Sequence, residues 1–269
     1  MKIFNVKMYT QLAKTFLIAI GWLLTKRFEV DSFSEYHLLM TSHGSRIYFM
    51  PLALHSLLRH GGSCHLSKIF ITIDSDEADS FLKKVLFKKL KSQGVEILRG
   101  ESYGPHSKYY HYLHDVWTGR ESIMLFDDDM IYREGDIRRL TSSHKRNGLP
   151  ACMRSYIFDR SGKPYNYNHL QMNEKIGQGI YVMATGVGGS LLSSLLLFKI
   201  KNLGNDFISL SKSNDDIWIY YVSVVYGIPF TQVVDYFYNP IMIPFTQKNA
   251  LRHENVGQDV NSKILNTLF

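Results

Sequence analysis

The sequence predicts an α/β protein built on a mainly parallel sheet with helices on both faces. Across residues 36–156, short apolar runs of strand length alternate with longer runs of helical length. That β-α-β-α order implies parallel strands joined by helical crossovers. No repeat, low-complexity tract or Pro/Gly-rich linker divides the chain. Its 269 residues, 45% hydrophobic and 20% charged, suffice for one large domain with a full core and exclude a disordered or fibrous chain.

"YHLLMT" (36–41) reads as the first strand and "FMPLALHSLLRHG" (49–61) as a helix stopped by Gly61 and Gly62. "SKIFITID" (67–74) is a second strand. "EADSFLKKVLFKKLKSQG" (77–94) is an amphipathic helix with lysines outward and Gly94 at its end. "VEILRG" is a third strand, "SKYYHYLHDVW" (107–117) a helix, "SIMLFDDD" (122–129) a fourth strand, "EGDIRRLTSSHKRNG" a helix and loop, and "PACMRSY" (150–156) another strand. Residues 159–179 are polar and turn-rich and read as a surface excursion. "IYVMATGVGGSLLSSLLL" (180–197) then gives a strand, a glycine-rich turn and a helix. That turn is not the dinucleotide fingerprint, and its glycines are expected to allow a close backbone approach. "NDDIWIYYVSVVYGIPF" (214–230) is an apolar helix that either Asn214 or Asp215 can cap, and in it Trp218 and Tyr221 are expected to pack.

The N-terminal segment, residues 1–33, stands apart from a main domain spanning 34–269. Every charged side chain up to residue 27 is basic (Lys2, Lys7, Lys14, Lys26, Arg27), and "TFLIAIGWLL" (15–24) lies among them. That run is too short for the ~20 residues of a spanning helix, and no small-residue cleavage site follows it. Two readings stay open. One is a helix in the interface of an anionic membrane, with Trp22 at headgroup depth. The other is a helix packed on the domain or on a second subunit.

The chemistry concentrates in "IMLFDDDMIY" (123–132), where a buried-looking strand ends in Asp127, Asp128 and Asp129. Three adjacent carboxylates raise one another's pKa values unless positive charge sits among them. Either water screens them at a surface turn or a hard divalent cation does, keeping open positions for phosphate oxygens. Ligands of such sheets bind outside the carboxyl ends of the strands, where these aspartates lie. The net charge of +7 favours acidic partners without choosing among nucleic acid, anionic membrane and phosphorylated small molecules. Cys64 and Cys152 form no metal-spacing pair and suit a reducing compartment.

The ordered set "TSHGSRI", "ALHSLL", "SKIFITID", "SYGPHSKYYHYL", "IMLFDDDMIY", "GVGGSLL", "SNDDIWIYYVSVVYGIPF" and "RHENVGQDVNSKIL" resembles bacterial glycosyltransferases of the GT-A fold that build capsular or lipopolysaccharide glycans. The resemblance spans residues 36–265 and implies a Rossmann-like nucleotide-binding sheet. It implies transfer of a sugar from a nucleotide-diphosphate donor to a glycan or lipid-linked acceptor, with inversion favoured, although retaining and inverting members share the DxD motif. The protein is expected in the cytoplasm and, on the membrane reading of the N-terminal segment, peripheral to the inner face of the membrane. The aspartates match the DxD motif. Asp127 would lie near the donor's ribose or sugar, Asp129 would hold Mn2+ or Mg2+ on the diphosphate, and Asp128 would do either. Lys108 matches a basic position facing the nucleotide, and Thr41, His43 and Arg46 follow the strand where this fold cradles the nucleobase. "TSHGSRI" departs from the Tyr-Pro that relatives often show there. His253 falls where many relatives place a late metal ligand. Asp216, the second acid of "NDDIW", matches the general base of inverting members, and Asp215 is expected to orient the acceptor. A helix N-terminus is expected to keep Asp216 ionised.

The reaction needs what these residues offer: charge stabilisation on the departing diphosphate and a carboxylate to take the acceptor's proton. One rival is a sugar nucleotidyltransferase, but "TSHGSRI" has a single glycine and no lysine where its phosphate loop belongs. The other is a basic membrane- or nucleic-acid-binding protein without catalysis. The basic residues are spread along the chain without an aromatic-interleaved patch, which argues against nucleic acid.

Overall fold

In the computed structural model, residues 2–77, 80–246 and 259–269 are described. Four strands, β1 (Tyr36–Thr41), β2 (Lys68–Asp74), β3 (Val95–Gly100) and β4 (Ser122–Leu125), lie parallel in the order β3-β2-β1-β4. Of the later strands β5 (Met130–Ile131), β6 (Ala151–Cys152), β7 (Ser155–Ile157), β8 (Gln171–Met172), β9 (Gly177–Gly179), β10 (Val182–Ala184), β11 (Ser190–Leu192), β12 (Phe230–Gln232) and β13 (Ile241–Met242), four extend the sheet. The full order is β3-β2-β1-β4-β11-β6-β12-β9, with only β11 and β9 running against the rest. Strands β10, β7 and β8 form a small second sheet, and β13 pairs with β5.

The helices are α1 (Lys2–Leu24), α2 (Met50–Leu58), α3 (Phe81–Ser92), α4 (Tyr110–Asp115), α5 (Asp136–Asn147), α6 (Ser194–Asn202), α7 (Phe207–Leu210), α8 (Asp215–Val225) and, at the C-terminus, α9 (Val260–Leu268). They cover both sheet faces, and the alternation of side chains along each strand shows how. Leu38 and Met40 of β1, Ile69, Ile71 and Ile73 of β2, and Met124 of β4 share one core with Ile18 of α1, Leu54 and Leu57 of α2, Leu86 of α3 and Leu140 of α5. Leu39, Phe70, Ile123 and Leu125 point the other way, into a core with Tyr112 of α4, Leu196 and Ile200 of α6, and Trp218 and Val222 of α8. Strands buried on both faces carry near-continuous apolar sequence. That is why "YHLLMT" and "KIFITID" were readable. Trp218 packs as expected.

Helix α1 lies against the domain. Ile18 is buried in the first core and the Trp22 indole donates to the Gln93 side chain at 2.9 Å. A Cβ on Gly21 would stand 2.6 Å from the His55 imidazole, so only glycine permits this approach. No helix among the described residues is long and apolar enough to cross a membrane.

Three features differ from the sequence reading. "PACMRSY" is two strands, β6 in the main sheet and β7 in the small one, divided at Met153 and Arg154. Strand β11 follows the glycine turn and enters the main sheet before α6 begins. The polar excursion supplies β9 at the sheet edge. Each strand is two or three residues long, too short for an apolar period to show.

Candidate active site

The carboxyl ends of β1, β2, β4 and β6 open on one cleft, and antiparallel β11 brings its preceding turn, residues 186–189, to the same edge. Two cavities meet there. One, of about 480 Å³, is lined by Thr41, His43, Arg46, Asp74 and Glu77 together with Lys108, Asp127 and Asp128. The other, of about 450 Å³, shares Arg46, Lys108 and Asp127 and adds Asp129, Arg154, Tyr156, Asp215 and Asp216. Thr41, His43 and Arg46 thus line the first cavity together.

The three aspartates are screened by the protein's own cations. The Lys108 ammonium lies 2.7 Å from Asp127. The Arg46 guanidinium donates to Asp128 and reaches Asp129 at 2.9 Å. Ser42 donates a second bond to Asp128 at 2.6 Å. The loop's backbone is fixed as well: the Asp127 N–H donates to the Tyr132 hydroxyl at 2.9 Å, and the Ile243 N–H donates to the Asp129 carbonyl at 2.7 Å. A solvated surface turn would show none of this, and Asp128 and Asp129 are buried.

Helix α8 delivers the second acidic pair. Its cap is Asn214, whose side chain accepts from the Ile217 N–H at 2.9 Å, so neither aspartate is spent on capping. Asp215 accepts from Lys108 at 3.1 Å, which makes it a partner of the ammonium. Asp216 accepts from the Gly186 N–H at 2.9 Å. A Cβ on Gly186 would sit 3.2 Å from Asp216, 3.4 Å from Asp127 and 3.4 Å from Lys108. The turn glycine thus marks where the three charged groups converge.

Their electrostatics diverge. Burial raises the Asp127 carboxyl, but the Lys108 ammonium and then Arg46 outweigh it and hold the group below the usual carboxylate range. Burial pushes Asp128 up despite Arg46 and Ser42. Burial opposes charge on Lys108, yet Asp127, Asp215 and Asp216 keep it well above an ordinary lysine. Burial first, and then the charge of Asp215, push Asp216 up to about 8. The expectation that a helix N-terminus keeps Asp216 ionised is therefore corrected: desolvation and a like charge beside it exceed the stabilisation of the helix end. Burial and then Arg46 lower His43, leaving a neutral imidazole in the first cavity.

Among the described residues, no three His, Cys, Asp or Glu side chains converge as a preformed metal cage. The donor set nonetheless fits a hard divalent cation. Mg2+ and similar ions bind through one or two carboxylates plus substrate phosphates, and Asp127 and Asp129 both line the second cavity. Arg46 occupies the position of positive charge beside Asp129. His253 lies outside the described residues.

Sequence reasoning missed Ser42 and Tyr132, which hold the aspartate loop, and Arg154, which lines the second cavity. Ser42 directly follows β1 and had a signal in its place beside Thr41 and His43. Tyr132 and Arg154 had none, because their roles depend on long-range packing.

No family model matches the sequence, and no curated protein matches it either. Solved structures do resemble the fold. GalNAc-T7 with UDP, GalNAc and Mn2+ superposes with a TM-score of 0.51 at 12% identity, over 85% of this chain and 49% of that one. The 4-diphosphocytidyl-2C-methyl-D-erythritol synthase of Anaerococcus prevotii gives 0.50 at 14% identity, over 84% and 96%. S. aureus TarS 1-349 gives 0.49 at 9% identity, over 77% and 60%. The chain spans about half the length of GalNAc-T7. At such identities the likeness is one of fold: this is a mixed α/β chain with a large, mainly parallel, GT-A-like sheet flanked by helices.

Proposed function

We propose that the protein is a metal-dependent, inverting glycosyltransferase that moves a sugar from a nucleotide-diphosphate donor to a glycan or lipid-linked acceptor in cell-surface polysaccharide synthesis. The observation that carries this reading is Lys108, whose ammonium joins the aspartate loop after β4 to the acidic start of α8. A charge placed there neutralises a departing diphosphate on one side and lies next to a proton acceptor on the other. In this reading Thr41, His43 and Arg46 hold the nucleoside end, and Lys108 and Asp127 face the diphosphate and sugar. Asp216 takes the acceptor hydroxyl's proton once ionised. Asp215 keeps Lys108 in place, and any hold on the acceptor is secondary to that.

Mn2+ or Mg2+, when bound, would supply Lewis-acid stabilisation of the leaving diphosphate. Asp129, with Asp127 or Asp128, would hold it, and His253 is retained as a further proposed ligand. The 4-diphosphocytidyl-2C-methyl-D-erythritol synthase of similar fold keeps nucleotidyl transfer as the rival enzyme reading. The segment after β1 argues against it, since it is a short 3-10 turn, Gly44–Tyr48, that sends Arg46 into the acids and offers no lysine.

The outer face of α1 supports a place at the cytoplasmic face of an anionic membrane. Phe16, Leu17, Leu23 and Leu24 are each at least 60% exposed there, and Lys14, Lys26 and Arg27 flank them.

The enzymatic reading is tested by thermal shift with nucleoside diphosphates. Stabilisation should rise strongly with Mn2+ or Mg2+ by ligand linkage, and Asp129→Ala should abolish that rise without unfolding the protein. Equal stabilisation in EDTA would overturn it.

A further inference from the structure

Among the described residues, three Arg or Lys side chains line the two cavities, and two of them are ion-paired. Arg46 holds Asp128 and Asp129, and Lys108 holds Asp127 and Asp215. Arg154 lines the same second cavity as Asp127, Asp129, Asp215 and Asp216, yet among the described residues it forms no ion pair. Its Nε is buried with no hydrogen-bond partner among the described residues. One Nη meets only the Met172 sulfur, at 3.9 Å, and the guanidinium lies 5.5 Å from the Phe237 ring centroid. A thioether is a weak acceptor, and a guanidinium carries five donors. Leaving a half-buried cation so poorly satisfied is costly unless a ligand completes it.

Its position is fixed by the catalytic turn itself. The Thr185 N–H donates to the Arg154 carbonyl at 3.0 Å, and the next N–H, of Gly186, donates to Asp216. Arg154 and the candidate base therefore flank one dipeptide. Gly188 lets the two segments close, since a Cβ there would stand 2.8 Å from that of Arg154. Arg154 does not line the first cavity, where the nucleoside end is placed. Around it the second cavity offers Tyr156, Tyr167, Asn168 and Asn239, suited to sugar hydroxyls and ring faces.

We propose that Arg154 is a specificity-determining residue that captures an oxyanion, phosphate or carboxylate, on the acceptor bound beside Asp216. The planar fork of the guanidinium matches both groups in bidentate fashion. The assignment of that side to the acceptor rests on the glycosyltransferase reading; the capture of an anion there does not.

The test uses the full chain in EDTA at physiological salt, without nucleotide, so that no metal ion can hold the anion and surface charge is screened. Geranyl diphosphate and methyl glucuronoside are titrated by calorimetry, with geraniol and methyl glucoside as neutral counterparts. At least one anion should bind wild type about tenfold or more tightly than it binds Arg154→Gln, with Arg154→Lys between. Preference for the diphosphate assigns a phosphate-linked lipid acceptor, and preference for the glucuronoside assigns an acidic sugar. If Arg154→Gln does not fold, the Arg154 Nε–H resonance of wild type, identified by its loss in Arg154→Lys, should move with the anion and not with the neutral probe. Neither anion distinguishing wild type from variant, a neutral probe distinguishing them equally, or an unmoved Nε–H resonance would overturn the proposal. Absence of metal-dependent nucleotide binding would instead overturn the enzymatic reading and leave this result intact.

Discussion

The Lys108 ammonium donates to the Asp215 carboxylate at 3.1 Å across 107 residues of sequence. With Asp127 at 2.7 Å on its other side, the ammonium closes a buried carboxylate–ammonium–carboxylate chain between β4 and α8. Lys108→Met should leave two buried carboxylates facing each other. Removing one partner of a buried ion pair costs about 3–5 kcal/mol, so urea denaturation should show a loss of that order. Adding Asp215→Asn should recover part of it, because the coupling between the two positions is then removed from both states. Additive losses in the double variant would mean that the contact carries no coupling.

Arg46 makes the corresponding prediction for the metal. It now supplies the positive charge between Asp128 and Asp129. Arg46→Met should melt below wild type in EDTA, since two buried carboxylates lose their counter-charge. Mn2+ should then raise its melting temperature more than it raises that of wild type, because the cation no longer competes with a guanidinium. An equal response of the two proteins to Mn2+ would show that the ion does not bind beside Arg46.

The unequal legibility of the sequence has a physical basis. Strands β1, β2 and β4 are buried on both faces and announce themselves as continuous apolar runs, and the three aspartates stand out because they follow one. That fixed the fold class and one half of the cleft. The pairing of Lys108 with Asp215, and of Asp216 with Gly186, depends on where α8 and the glycine turn are packed. No local period encodes such distances. Arg154 was invisible for a related reason: it sits at the break between β6 and β7, inside a stretch that reads as one strand. The capping choice between Asn214 and Asp215 was undecidable from residue type alone, since both are good caps. Only the contact to Ile217 resolves it.

Helix α1 gives a prediction independent of catalysis. Its inner face is anchored by Ile18 and Trp22, so changes on the outer face should leave the fold intact. The combined substitution Phe16→Ser and Leu23→Ser should melt close to wild type, because exposed substitutions seldom change stability by more than about 0.5 kcal/mol. It should sediment several-fold less with anionic liposomes if this face enters the interface. Unchanged sedimentation would exclude the face as the contact.

Asp216 gives the sharpest test because its two properties, basicity and burial, leave different marks. Its pKa is pushed up from the ordinary 3.8 to about 8, by burial first and by Asp215 next. Below about pH 4 the group is protonated whether the chain is folded or not, so nothing is lost there. From about pH 4 to about 8 the unfolded chain gives up this proton and the folded one keeps it. The unfolded state then binds fewer protons, and stability falls as pH rises. Above about 8 both states are ionised and the loss is constant. Asn cannot titrate, and it keeps an oxygen for the Gly186 N–H. The melting temperature of Asp216→Asn should therefore pull progressively above that of wild type across this window and run parallel to it beyond. Its glycosyl transfer should fall by about 10²–10⁴-fold, the usual contribution of a general base, while metal-dependent nucleotide binding persists. Wild-type transfer should rise with pH toward about 8 as the carboxylate forms. A flat difference in melting temperature would mean that Asp216 titrates like an exposed aspartate. Transfer by Asp216→Asn above about a tenth of wild type would remove it as the base, since loss of a base of that effectiveness exceeds tenfold.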